Sequence, residues 1–133
     1  MNWLAILVTG LVPMALGFAW YHKNVFGKTW MDSLGFKEED LQGGNMGLIF
    51  GLSYVLAIVA AMFVNQAVGH SEGEFATFKH GAFHGMFIGL MVALPVLATN
   101  ALFERRGWKN IGVNVGYWIV NFALMGGILA IWR

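Results

Sequence analysis

The 133-residue chain contains no cysteine, only two prolines and only 11% charged residues. The missing thiols exclude disulfide staples, thiol catalysis and thiolate metal ligation. The shortage of charge is more telling, because a soluble domain carries about 25% charged residues. A net charge of +1 leaves no cationic footprint for a nucleic-acid partner. No Asp, Glu, Lys or Arg falls within the middle of a long apolar run. Proton-coupled carriers place an ionisable group there, and small four-helix drug exporters carry an acidic one in their first helix. Ser53 stands in an apolar run with no base at its depth. These gaps argue against an enzyme, and no cofactor is expected.

What is present is grease: 58% hydrophobic and 15% aromatic residues. So small a globule cannot hide that much apolar surface, and the bilayer is the alternative solvent. A spanning helix needs roughly 20 mostly apolar residues. Four runs qualify, at about residues 2–21, 46–68, 79–103 and 111–132. They are too long and too uniformly apolar for barrel strands, so the backbone must satisfy itself as helices. The first run lacks a basic leader and a small-residue cleavage site, and reads as a retained anchor rather than a signal peptide. The expected fold is all-α: one polytopic domain over 1–133, with four transmembrane helices.

The segment 22–45 between the first two helices is more than a linker. Phe26, Trp30 and Leu34 lie at i, i+4 and i+8 in "VFGKTWMDSLGF", followed by Gly35 as a stop. This predicts a short interfacial helix at headgroup level, apolar face down, with Trp20 and Tyr21 anchoring the preceding span; an irregular loop with a few buried aromatics is the alternative. Lys23, Lys28 and Lys37 on this segment, and Arg105, Arg106 and Lys109 after the third run, outnumber Lys79 and Arg133 on the other side. That bias predicts both connections in the cytoplasm and both termini outside, in an inner (plasma) bacterial membrane.

The turn "FERRGWKN" needs no catalytic role. Glu104 sits at the membrane edge, Arg105 and Arg106 complement a helix C-terminus, Gly107 supplies a left-handed stop, and Trp108 marks the headgroup level. A weak internal repeat pairs "PMALGFAWY" with "PVLATNALF", and "NMGLIFG" with "NIGVNVG". Two copies of one helical hairpin, or chance within a biased alphabet, both account for it.

Small residues recur four apart at Gly47 and Gly51, at Gly81, Gly85 and Gly89, at Gly112 and Gly116, and at Gly126 with Ala130. Such rows let helices approach closely; whether the partner lies in the same chain is not encoded. Asn100 and Asn114 are equidistant from Gly107, which predicts an amide pair between the third and fourth helices. Asn114, Tyr117 and Asn121 share one face, as interhelical glue or as the lining of an aqueous crevice. His80 and His84 are one turn apart, downstream of His70, Glu72 and Glu74. Two such imidazoles can share a metal with carboxylates completing the shell, or simply decorate a helix end; no haem can be sandwiched between two residues of one helix, and no metal is expected.

"LGFAWYHKNVFGKTWM", "LGFKEEDL" and "TNALFERRGWKNIGVNVGYWIVNFALMGGILAIW" resemble the bacterial and fungal membrane family DUF1761. The resemblance rests on Trp20, Tyr21, Phe26, Gly27 and Trp30, then on Asn100, Phe103, Glu104, Asn114, Gly116, Tyr117, Met125 and Gly126. It implies a small multi-helix integral membrane protein and supplies no activity. The expected role is a scaffold, accessory or self-associating subunit, whose partners are lipid and either a second copy or a membrane complex. The alternative is an oligomeric channel or carrier, and a third reading is metal binding through His80 and His84.

Overall fold

The computed structural model describes residues 1–132, so Arg133, counted in the charge bias, lies outside the described residues. The four candidate spans are Trp3–Trp20, Met46–Val68, Phe78–Phe103 and Trp108–Ile131. The first is two helices, α1 (Trp3–Thr9) and α2 (Val12–Trp20), broken at Gly10 and Leu11. Asn2 caps α1 through its side-chain oxygen, and Pro13 stands in the first turn of α2, where its missing N–H goes unneeded. A short helix α3 (Lys28–Leu34) follows and ends at Gly35, whose φ of 69° is left-handed. The second span is the unbroken α4 (Met46–Val68), opened by Asn45, whose side chain accepts from the Leu48 N–H at 3.1 Å.

The third span is α5 (Phe78–Ile88), a wide π turn over Gly89–Ala93, and α6 (Leu94–Phe103). The π turn immediately precedes Leu94 and Pro95. Proline cannot donate to the carbonyl one turn back, and a widened turn absorbs that misfit. The fourth span is α7 (Trp108–Ile131), the most buried of the four.

Helix α7 is the axis of the bundle. Ala5 and Ile6 of α1, Ala61, Val64 and Val68 of α4, and Met125, Leu129 and Ala130 of α7 form one core. Ala101, Ile111 and Val115 form a second, between α6 and α7. The closest approach is that of α5 to α7. A Cβ on Gly81 would overlap the Gly126 carbonyl oxygen, one on Gly85 the Phe122 carbonyl oxygen, and one on Gly89 would come 2.7 Å from Ile119 Cα. That row of glycines is therefore consumed within the chain. Gly116 faces the Trp20 ring, whereas nothing comes within 4 Å of a Cβ at Gly51 or Gly112.

One local expectation is corrected here. The left-handed residue of the 104–107 turn is Arg105, at φ 60°, while Gly107 is extended at φ −75°, ψ 166°. The Arg106 N–H reaches the Ala101 carbonyl at 2.8 Å and the Arg105 N–H the Leu102 carbonyl at 3.2 Å, the double closure of a Schellman motif. The left-handed position thus falls two residues earlier than the glycine suggests. Arg105→Gly is expected to stabilise the fold by about 0.5–1 kcal/mol by relieving that backbone, read as a raised unfolding midpoint in detergent. The short helix α3 forms as expected, and in addition its Trp30 packs back onto the bundle, 5.5 Å from the Tyr21 ring, while Phe26 in the turn before it lies 4.7 Å from the Trp20 ring.

The two halves match only in part. The first and third spans are each interrupted near their proline, and the second and fourth are continuous. Asn45 caps its helix from outside, however, while Asn110 lies inside α7, so the shared N-x-G-x-x-x-G stretches sit at different helical positions.

Candidate functional site: a polar and aromatic junction on the fourth span

The densest set of specific side-chain contacts joins the end of the first span, α3 and the opening turns of α7. Its geometry begins at Gly27. The wide turn Lys23–Gly27 closes with the Gly27 N–H on the His22 carbonyl at 3.0 Å. A Cβ on Gly27 would overlap the Tyr21 carbonyl oxygen, so only glycine lets the chain reverse this tightly. The reversal lays Phe26 on Trp20 and Trp30 on Tyr21. The Trp20 indole N–H donates to the Val113 carbonyl at 3.0 Å, using that oxygen's second lone pair. Tyr117 fills the space behind, its ring 5.1 Å from that of Tyr21, and its hydroxyl donates to the Pro13 carbonyl.

A line of hydrogen bonds runs outward from there. The Tyr21 hydroxyl donates to Asn114 Oδ1 at 2.7 Å, and Asn114 Nδ2 to Asn110 Oδ1 at 3.4 Å. Asn110 Nδ2 donates to Ser33 Oγ at 3.2 Å, and the Ser33 hydroxyl to the Trp30 carbonyl at 2.6 Å. Asn110 is only 3% exposed, so its amide depends on these partners. Interhelical bonds of this kind contribute about 0.6 kcal/mol on average and up to about 1.7. A double-mutant cycle of Tyr21→Phe with Asn114→Leu is expected to show a coupling within that range. A coupling of zero, measured by reversible unfolding, would mean that the two side chains do not bond in the bilayer.

The Asn100–Asn114 amide pair does not form. Asn100 is exposed, and Asn114 is taken by Tyr21 and Asn110. Equal distance from Gly107 sets equal depth but says nothing about rotation around each helix axis, and α7 turns its amides towards the first span. The sequence reading missed Asn110, Ser33 and the Trp20–Val113 bond. Asn110 was legible as one more turn of the Asn114, Tyr117 and Asn121 stripe; Ser33 and the Val113 carbonyl carry no sequence signal. Asn121 is fully buried, and its amide has no hydrogen-bond partner among the described residues.

His80 and His84 come together, Nε2 to Nε2 at 3.0 Å, with the Phe75 ring beside His80. Among the described residues no three His, Cys, Asp or Glu side chains converge, so Glu72 and Glu74 do not complete a shell around the imidazoles. They ride on the exposed turn before α5, whose helix the two histidines belong to. Glu104 pairs with Arg106 at 3.6 Å, an exposed contact that adds little. Trp108 is exposed at the start of α7.

Fold and site together define a small helical protein with four candidate membrane spans, held by a glycine-lined helix pair and a neutral polar junction. Residues 4–130 match the family described as "Protein of unknown function (DUF1761)", and the chain belongs to that family. It is also similar to phospho-N-acetylmuramoyl-pentapeptide-transferases. The similarity is 24% identity over 124 residues with that of Neisseria meningitidis serogroup C, covering 93% of this chain and 32% of the relative. It is 30% over 130 residues with that of Desulfotalea psychrophila, covering 96% and 33%, and 32% over 132 residues with that of Rickettsia akari, covering 92% and 32%. The chain thus spans about a third of the length of the curated relatives it matches. No solved structure matches.

Proposed function

We propose that the protein is a non-catalytic membrane subunit that acts by helix–helix association, with itself or within a larger complex. The observation that carries this reading is the contrast between two glycine rows. Gly81, Gly85 and Gly89 are sealed against α7. Gly47 and Gly51 lie on the leading half of α4, where every residue from Met46 to Ser53 is exposed. Phe50 and Tyr54 touch the first span, at the Phe18 ring and the Leu7 carbonyl, but the buried residues of α4 are Ala57, Ala61, Val64 and Val68, further along the helix. In lipid, a small-residue face gains more from a close-packed helix than from acyl chains. The positive-inside bias supports a cytoplasmic position for α3 and the 104–107 turn. The transferase named among the relatives is about three times as long, and its activity plays no part in this reading.

The test is oligomeric state in mild detergent, by light scattering or native mass spectrometry. The wild type is expected to form a defined oligomer, and Gly51→Leu to dissociate it without loss of the helical spectrum. A wild type that is strictly monomeric overturns self-association. A second reading, an oligomeric conduit along α7, draws on the buried amide of Asn121. Labelling of Asn121→Cys by a water-soluble thiol reagent would favour it, and protection would favour packing.

A further inference from the structure

Three side-chain oxygen and nitrogen atoms are buried without a hydrogen-bond partner among the described residues: Thr9 Oγ1 and both amide atoms of Asn121. Both residues are 0% exposed. They belong to one layer of the bundle. The first and fourth spans run antiparallel, as Tyr21 bonds Asn114, Trp20 bonds Val113, and Tyr117 bonds the Pro13 carbonyl. Four residues beyond that last contact lie Thr9, across the break in the first span, and Asn121, one turn on along α7. One further turn brings Ala5 and Ile6 into a core with Met125 and Leu129.

Everything about this layer is neutral and short of partners. The Tyr117 hydroxyl gives its proton to the Pro13 carbonyl and keeps a lone pair facing the Asn121 side chain, a contact at the edge of hydrogen-bond reach that engages the amide only weakly. A hydroxyl and an amide left unsatisfied in hydrocarbon are each costly, and the pairs formed around them are not arranged to relieve it. Buried water makes about three hydrogen bonds to such groups. A charged ligand would find no counter-ion here, since no Asp, Glu, His, Lys or Arg lies on the neighbouring turns of either span.

We propose that Thr9, Asn121 and the Tyr117 hydroxyl oxygen hold an internal water molecule near the middle of the bundle. It sits at the inner end of the polar junction. Ile6, Met125 and Leu129, at 0%, 0% and 1% exposure, close the side away from α3. The inference does not depend on self-association.

Radiolytic hydroxyl-radical footprinting of the intact protein in nanodiscs tests it, because bound water generates radicals in place and Met125, one turn from Asn121, is a reactive reporter. The wild type is expected to oxidise at Met125 despite its burial, and Thr9→Val to reduce that oxidation severalfold. An unlabelled Met125 in the wild type overturns the proposal, as does equal labelling in Thr9→Val. A stability cycle supplies an independent reading. With a shared water, Thr9→Val and Asn121→Leu each lower the unfolding midpoint, and the double variant loses less than their sum, since the second substitution no longer strands a partner. If each apolar substitution raises the midpoint and the two effects add, the layer is dry and the proposal fails. Should Asn121→Leu not fold, the wild-type and Thr9→Val footprints still decide.

Discussion

A single methyl group added at Gly85 is expected to push the third span off the fourth. The Cβ of Gly85→Ala would overlap the Phe122 carbonyl oxygen and crowd the Ala123 nitrogen at 3.0 Å. These are backbone atoms of a helix buried at the centre of the bundle, so no rotamer change can make room. Overpacking in a well-packed core costs about 1–3 kcal/mol, and contact with backbone on both sides places this variant at the upper end, about 3 kcal/mol. Gly112→Ala serves as the control: nothing lies within 4 Å of the added carbon, and the change should stay within about 0.5 kcal/mol. Reversible unfolding by denaturing detergent or steric trapping gives the comparison. Equal losses for Gly85→Ala and Gly112→Ala would refute the α5–α7 packing.

Trp20→Ala should rival it. The indole stacks on Phe26, covers Gly116 and contributes a hydrogen bond to the Val113 carbonyl. Removing a core Trp or Phe side chain costs about 3–5 kcal/mol; Trp20 is half-buried, so about 3 kcal/mol is expected. Trp20→Phe keeps most of the ring contact and loses the bond, about 1 kcal/mol. The same unfolding measurement separates the two. If Trp20→Phe is as damaging as Trp20→Ala, the hydrogen bond rather than the stacking anchors the junction.

The spans were legible because the bilayer imposes a length on apolar runs that few other constraints imitate. Met46–Val68 carries its own start signal, Asn45, and its bounds agree with the sequence reading. The fourth span begins at Trp108 rather than at 111, because Trp108 and Lys109 can enter a helix at its first turn without burying charge. The break at Gly10 was not legible: proline marked the place, but a proline in a first turn and one in a kink look alike in sequence. The contacts of α3 with the bundle were not legible, because a lipid surface and an aromatic cluster ask for the same apolar face. Depth along a helix can be counted from a turn, whereas azimuth cannot, which is why the stripe of Asn114, Tyr117 and Asn121 was seen but its partners on the first span were not.

The line from Tyr21 through Asn114, Asn110 and Ser33 to the Trp30 carbonyl has a sense of direction. Each donor points towards α3, so the bond dipoles add rather than cancel, and turning one amide round breaks two contacts at once. Two of its links are carboxamides, which hold their N–H protons too tightly to pass them along. The file can therefore transmit position but not protons: a shift of α3 is felt at Tyr21, while no proton travels along with it.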